Sequence, residues 1–243
     1  MWQSAHMTLE LDRFVALTFD CYGTLIDWER GIVAAARAIL GASGADLDDE
    51  AILEAFARHE RPLERGPYQT YRTILTQVAR AIGREQGLGV SDADAQAFAA
   101  SVPDWPAFPD SSAALARLAA RHRLGVITNC DDDLFAGSAS RLGVRFDEVV
   151  TAQQAGSYKP SARNFELMLE RLDLPRDRVL HVAQSLYHDH VPAKALGIAT
   201  VWVDRRQGRP GSGATPAAEA APDLVVPDLA SLADLVVGST GDA

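Results

Sequence analysis

The residue best placed for chemistry is Asp20. It ends the nearly unbroken apolar run Phe14-Val15-Ala16-Leu17-Thr18-Phe19-Asp20 and is followed by Cys21-Tyr22-Gly23-Thr24-Leu25. Such a run reads as a strand covered on both faces. Asp20 then sits at the carboxyl end of a strand, where open α/β sheets keep their reactive groups. Gly23 permits a sharp turn after it, and Thr24 adds a hydroxyl. A carboxylate in this place can act as a nucleophile, splitting one hard displacement into two easier ones through an ester. Its plainer use would be to cap the turn or a following helix.

Further apolar runs read as strands at Leu124–Asn129, Glu148–Thr151, Val179–Gln184, Ala199–Asp204 and Leu224–Val226. Helical patterns separate most of them, at Ser112–Arg121, Asp133–Leu142, Ala162–Leu172 and Pro192–Leu196. Strands alternating with helices imply a parallel sheet with right-handed crossovers. The first connection is the exception, because roughly eighty residues of helical periodicity exceed any ordinary crossover. Glu29–Leu40, Asp49–Arg58, Tyr68–Gln86 and Asp92–Ser101 read as its helices. Pro103-Asp104-Trp105-Pro106-Ala107-Phe108-Pro109 reads as the returning hinge, since each proline biases its predecessor away from helix. The segment from Gln207 to Pro222 is rich in Gly, Pro and Ala and reads as a mobile surface loop.

Composition agrees with a single enzyme. A chain of 243 residues with 47% apolar content can bury a sizeable core. No apolar run is long enough to span a bilayer, and the N-terminus lacks the regions of a signal peptide. Met1 to Met7 read as a leader outside the fold. Cys21 and Cys130 are the only cysteines, which suits a reducing cytoplasm. A net charge of −10 with scattered basic residues argues against nucleic acid and anionic membranes. An anionic substrate must therefore be held by local cations.

The segment Phe19-Asp20-Cys21-Tyr22-Gly23-Thr24-Leu25 resembles the first motif of the haloacid dehalogenase superfamily. Val126-Ile127-Thr128-Asn129, Ser157-Tyr158-Lys159-Pro160 and His181-Val182-Ala183-Gln184-Ser185-Leu186-Tyr187-His188-Asp189 fit its later motifs in the same order. The resemblance implies an α/β fold: a Rossmann-like, flavodoxin-like parallel core of residues 8–27 and 110–243, with a helical cap inserted over residues 28–109. It implies that Asp20 is the nucleophile and that Thr24, Thr128 and Lys159 hold its oxygens. Lys159 would also keep Asp20 ionised, an opposite charge lowering a carboxylate pKa by roughly 1–3 units. Asp189 would orient Lys159 or activate the hydrolytic water.

Two departures from the superfamily's phosphatases bear on the reaction. Their second aspartate, which protonates the leaving alkoxide, is here Tyr22, a phenol with a pKa of about 10. Their magnesium-binding acid in the fourth motif is here Gln184, a weak ligand for a hard cation. Neither a metal nor a cofactor is expected. Tyr22 is what the L-2-haloacid dehalogenases show, so the resemblance implies an SN2 attack by Asp20 on the α-carbon of a small carboxylate. Asn129 and a cap arginine, placed at Arg58, would then cradle the leaving halide. The fit has gaps: Gln184, Leu186 and Phe165 stand where those enzymes carry serine, asparagine and tyrosine. Ser185-Leu186-Tyr187-His188-Asp189-His190, with the segments around Asp20 and Trp105, is also similar to L-azetidine-2-carboxylate hydrolase. There the leaving group is an amine, and Trp28, Tyr22 and Tyr187 could offer it aromatic faces. A small carboxylate is the expected partner, with Ser185 also near it, in a chain that could pair as a homodimer.

Three features read as structural rather than chemical. Asp131-Asp132-Asp133 before Leu134-Phe135 reads as acids favouring a helix N-terminus. Cys21 and Cys130 read as packed thiols. His188 and His190 read as residues at the surface or behind the site.

Overall fold

The computed structural model describes residues 9–41, 47–208, 213–215 and 217–238. The Met1–Met7 leader lies outside them. Six strands form one parallel sheet: β1 (Ala16–Phe19), β2 (Arg123–Thr128), β3 (Glu148–Thr151), β4 (Val179–Ala183), β5 (Ala199–Val203) and β6 (Leu224–Val226). Their order is β3-β2-β1-β4-β5-β6, so the winding reverses between β1 and β4. Ligands of doubly wound sheets bind in the crevice at such a reversal, outside the carboxyl ends of the strands. Asp20 leaves β1 at that crevice.

The strands are apolar on both faces because helices cover both. Leu17 and Phe19 of β1 belong to one core cluster, whereas Ala16 belongs to the other. Alternation along a strand produces that division. In chain order the helices are α1 (Trp28–Leu40), α2 (Asp49–Glu64), α3 (Tyr71–Glu85), α4 (Asp92–Ala100), α5 (Ser111–Ala119), α6 (Asp132–Leu142), the single turn α7 (Ala152–Ala155), α8 (Ala162–Leu172), α9 (Val191–Ala195) and α10 (Leu229–Val237). Phe165, Met168 and Leu172 of α8 cover the Ala16 side of the sheet. Leu115 and Leu118 of α5, with Leu229 and Leu232 of α10, cover the Leu17 side.

Helices α1–α4 occupy the connection between β1 and α5 and, among the described residues, add no strand to the sheet. Two chain passages join this cap to the core side by side. The Asp27 amide donates to Pro106 O at 2.8 Å and the Phe108 amide to Leu25 O at 3.0 Å. Asp48, Thr70 and Ser91 each accept a backbone N–H and so cap α2, α3 and α4.

Two expectations need correction, and a third is met with an addition. Helix α2 runs six residues past the predicted end at Arg58, through Pro62 to Glu64. Proline removes one N–H, and this close to the helix end the loss falls in the last turn rather than breaking the helix. The three acids stand at the N-terminus of α6 as expected, Asp131 at the cap position and Asp132 and Asp133 in the first turn; the Asp131 carboxylate in addition accepts the Tyr71 and Arg72 amides, both at 2.9 Å, at the start of α3. Asp133 pairs with Arg72 at 2.6 Å, so acids of the core pin the cap. Within the expected surface loop, Ala214 and Thr215 are buried, while residues 209–212 and 216 lie outside the described residues.

Candidate active site

The tight turn after β1 aims the Asp20 carboxylate into the crevice. Leu25 and Ile26 amides donate back to Cys21 O, and Gly23 takes φ +94°, a conformation open to glycine at little cost. A side chain there would also press on Trp28 and Gln184. Asp20 is 6% exposed. Thr24 Oγ1 donates to its Oδ2 at 2.6 Å and Lys159 Nζ to its Oδ1 at 2.7 Å.

Lys159 is the centre of the core side. Its ammonium also donates to Asp189 Oδ1 at 2.7 Å and Ile127 O at 2.9 Å, so its three protons are all engaged. Behind Asp189 stands His181, whose Nε2 lies 3.0 Å from Asp189 Oδ1. Thr18 and His181 face each other in the β1–β4 register, and Thr18 Oγ1 lies 2.9 Å from His181 Nδ1. A ring donating from Nε2 to the carboxylate accepts at Nδ1 from the threonine, which makes the chain of bonds complete. Asp189 Oδ2 is buried and has no hydrogen-bond partner among the described residues.

One ammonium thus serves two buried carboxylates, and the effect on them differs. Burial raises the Asp189 pKa, but Lys159 and His181 outweigh it and hold the group below the ordinary carboxylate range. For Asp20, burial wins over Lys159, and the charge on Asp189 adds to it, so the pKa stands above its ordinary value. This corrects the expectation that Lys159 leaves Asp20 with a lowered pKa. Burial acts against the Lys159 ammonium as well, yet Asp189 and Asp20 together raise its pKa.

The cap supplies an opposite wall of a different kind. Asp20, Tyr22, Trp28, Asn129, Lys159, Ser185 and Asp189 line one cavity, of about 30 Å³, together with Glu60, Glu64, Tyr71, His188 and Thr215. A water needs roughly 10–15 Å³ by this measure, so the cap must move to admit anything larger. Tyr71 OH donates to Glu60 Oε1 at 2.7 Å. Asn129 Nδ2 donates to Glu64 Oε1 and to Lys159 O, both at 3.2 Å. His188 Nε2 is 3.7 Å from Glu64 Oε2. Burial lifts the Glu60 carboxyl to about 7 and raises Glu64 well above its ordinary range, the charge on Glu60 adding to the latter. Burial likewise lowers the His188 imidazole to about 4.

Several predicted site residues stand elsewhere. Arg58 is exposed on the outer side of α2, bound to Glu85 at 2.5 Å, and does not line the cavity. Thr128 Oγ1 is buried without a hydrogen-bond partner among the described residues and does not hold Asp20. Tyr187 is also outside the cavity lining; its hydroxyl accepts from Arg65 at 2.9 Å. Ser185 Oγ accepts the His188 amide at 2.9 Å, and Tyr22 OH lies 3.0 Å from Ser138 Oγ and accepts from Cys130. His188 faces the cavity rather than the surface. Phe165, where the resemblance expected a tyrosine, lies with its ring centre 5.1 Å from that of His181.

Sequence reasoning missed Glu60, Glu64, Tyr71, Thr215 and His181. Glu60 and Glu64 follow buried Phe56 at four-residue steps, a spacing that puts all three on one helix face. That signal appears only when α2 is carried through Pro62.

Fold and site together define a doubly wound α/β protein with its reacting groups at the crevice of the sheet. Comparison with known proteins agrees. The profile of the haloacid dehalogenase-like hydrolases matches residues 14–197, and the chain belongs to that family. It is 25% identical over 236 residues to (S)-2-haloacid dehalogenase of Pseudomonas putida, covering 92% of this chain and 96% of that one. It is 27% identical over 217 residues to (S)-2-haloacid dehalogenase 4A of Burkholderia cepacia, covering 82% and 87%. A crystal structure of an L-2-haloacid dehalogenase superposes with a TM-score of 0.78 at 27% identity, covering 93% of this chain and all 100% of that one. Among the described residues no helix is long and apolar enough to cross a membrane.

Proposed function

We propose that the protein hydrolyses a small 2-substituted carboxylate by attack of Asp20 on the α-carbon, without a metal. The observation that carries this is the environment of the Asp20 carboxylate. It faces the cavity, held by Thr24 and Lys159, and the residue two positions on is Tyr22 rather than a second acid. The Tyr22 hydroxyl is engaged with Ser138 and Cys130, and burial raises its pKa well above an already high value. It is no proton shuttle at neutral pH.

The donor set also suits a divalent cation poorly. Both Asp20 oxygens already hold protein donors, and Gln184 Oε1 is an amide oxygen bonded by Thr215 at 3.3 Å. Among the described residues no group of three His, Cys, Asp or Glu is arranged to hold a metal. No step is therefore routed through one.

In the first step an Asp20 oxygen displaces the leaving group from the α-carbon and forms an ester. In the second, water attacks the Asp20 carboxyl carbon and releases a 2-hydroxy acid of inverted configuration. Asp189 Oδ2, buried at the cavity without a partner, is the oxygen available to take that water's proton. The named relatives act on 2-haloacids, which are accordingly the first substrates to try. An amine leaving group, as in azetidine-2-carboxylate, is the second reading. It is favoured by Arg58 facing away from the cavity and two acids facing in.

Single turnover in ¹⁸O-water tests the ester. The label should enter the Asp20 carboxylate while the product takes its oxygen from the protein. Label found directly in the product would mean that water, not Asp20, attacks the substrate. Activity abolished by chelator and restored by Mg²⁺ would instead revive the phosphatase.

A further inference from the structure

The cation and the amide that line the cavity have no protons left for a halide. Lys159 is the only Lys or Arg lining the cavity among the described residues, and its three protons go to Asp20, Asp189 and Ile127 O. Asn129 Nδ2 has two protons, and both go to oxygen acceptors, Glu64 Oε1 and Lys159 O. In place of a cradle for an anion, the cap presents Glu60, 4% exposed, and the Glu64 side chain, 8% exposed. Two ionised carboxylates there would repel a departing halide and leave buried charge unpaired.

We propose that Glu64 is a catalytic acid that protonates the leaving atom, and that this atom is the ring nitrogen or oxygen of a strained heterocycle bearing a carboxylate on the attacked carbon. The proposal rests on the reading that Asp20 attacks carbon, and it names the other end of the same reaction. Glu64 Oε1 accepts from Asn129, while Oε2 makes no hydrogen bond among the described residues. The proton therefore belongs on Oε2. Glu60, fixed by Tyr71 OH, is a positioning residue: a second carboxyl one helical turn away discourages ionisation of Glu64. The groups facing Glu64 are Glu60 on its own helix, Tyr71 from α3, Tyr158 and Lys159 from the loop between α7 and α8, and His188 after β4. Only Lys159 among them carries a cation at neutral pH, and it is tied to the two aspartates.

The step balances. The Asp20 oxygen forms a bond to the α-carbon as the bond from that carbon to the ring nitrogen or oxygen breaks, and the electron pair stays on the leaving atom. The Glu64 proton passes to that atom, leaving a carboxylate; a ring nitrogen enters this step as the free amine, its ammonium proton having gone to solvent on binding. Water then splits the Asp20 ester, and the proton released in that hydrolysis returns to Glu64. Ring strain supplies the driving force that an unstrained amine or alkoxide would lack.

The test compares wild type with Glu64→Gln on azetidine-2-carboxylate, oxirane-2-carboxylate and 2-bromopropionate, with the mass of Asp20 followed after quenching. Bromide leaves without a proton and is the internal control. General acid catalysis contributes about 10²- to 10⁴-fold, so the ratio of ring turnover to 2-bromopropionate turnover should fall by that factor in the variant. Equal losses on all substrates would overturn the proposal and make Glu64 a support for Asn129. Inert rings combined with a 2-bromopropionate ester on Asp20 would overturn it too, leaving carbon attack standing. If no compound modifies Asp20, the carbon-attack reading fails, and the proposal with it. Should bromopropionate be inert, or the variant fail to fold, the wild-type pH profile decides. Ring opening must then decline on the alkaline side as Glu64 ionises, at a pH above the ordinary carboxylate range, and no such decline would sink the proposal.

Discussion

The two walls of the cavity solve the problem of buried acid in opposite ways. On the core wall, Asp20 and Asp189 share the ammonium of Lys159 with N–O distances of 2.7 Å, and His181 supports Asp189 from behind. On the cap wall, Glu60 and Glu64 have only neutral partners, Tyr71 and Asn129. The first arrangement keeps carboxylates charged by pairing them. The second raises their pKa values by burying them without a cation of their own. Pairs of acids whose surroundings push them apart in this way are how one site runs base and acid chemistry together.

Removing the ammonium should break the comparison most severely. Lys159→Met leaves two buried carboxylates facing each other, and breaking a buried pair from one side costs about 3–5 kcal/mol. Denaturant unfolding at pH 7.5 should show a loss of that order, with turnover abolished. The sign with pH is also fixed. Without the cation both carboxyls acquire folded-state pKa values above the unfolded ones, so the variant is most stable in acid and weakens as pH rises through those raised values. In wild type the depressed Asp189 does the reverse, contributing stability above its ordinary pKa and losing it as pH falls. Adding Asp20→Asn to Lys159→Met should recover part of the loss, since one of the two stranded charges is gone.

The contrast between the walls is also a contrast in what a sequence reveals. Asp20 ends an apolar run, a signal visible without a structure, whereas Lys159 and Asp189 follow no such run and are placed only by the order of the motifs that carry the family resemblance. His181 sits in mid-strand, and its partner Thr18 is 163 positions away, so only the β1–β4 register connects them. The cap acids were hidden by Pro62, which reads as the end of a helix although α2 continues through it. Arg58 was misplaced for the same reason. It lies two residues from both Phe56 and Glu60, about 200° around a helix from each, and so points away from the site they face. Thr215 was hidden in a Gly- and Pro-rich stretch whose composition says loop but not where the loop packs.

Glu60→Gln should sharpen the comparison by a smaller amount. Glu60 titrates at about 7 in the fold against an ordinary 4.5, so between those values the folded chain holds a proton that the unfolded chain has lost. Stability from this group is therefore complete below about pH 4.5 and declines until about pH 7. Glutamine keeps the acceptor for Tyr71 OH and cannot ionise. Relative to wild type, the variant should gain stability from pH 4.5 upward, reaching a plateau on the order of 2–3 kcal/mol above pH 7. His188 acts oppositely, its folded value of about 4 weakening wild type as pH falls below its ordinary 6.5, but that effect is common to both proteins and cancels in the difference. A difference in unfolding free energy that does not change with pH would show that Glu60 is ionised throughout, and that the cap wall is charged after all.

The smallest expected effect is at Arg58, and it tests whether the cap wall lacks a cation in solution. The Arg58 side chain is 54% exposed and its partner Glu85 36%, and His59 contacts the same carboxylate at 2.8 Å. An exposed pair of this kind contributes at most about 0.5 kcal/mol, and His59 remains to hold Glu85 when the arginine is gone. Arg58→Ala should therefore shift the unfolding midpoint barely, with kcat and KM on any accepted substrate within about twofold of wild type. The substitution matters because α2 could roll or the cap could close further when substrate enters a cavity of about 30 Å³. If closure carried the guanidinium to the leaving group, Arg58→Ala would lower kcat on 2-haloacids by orders of magnitude while leaving stability untouched. Arg58→Lys would then fail to restore it, because an ammonium lacks the planar fork. That pattern would replace the acidic wall with a halide cradle. Unchanged kinetics would leave Glu60 and Glu64 as the groups that meet the leaving atom.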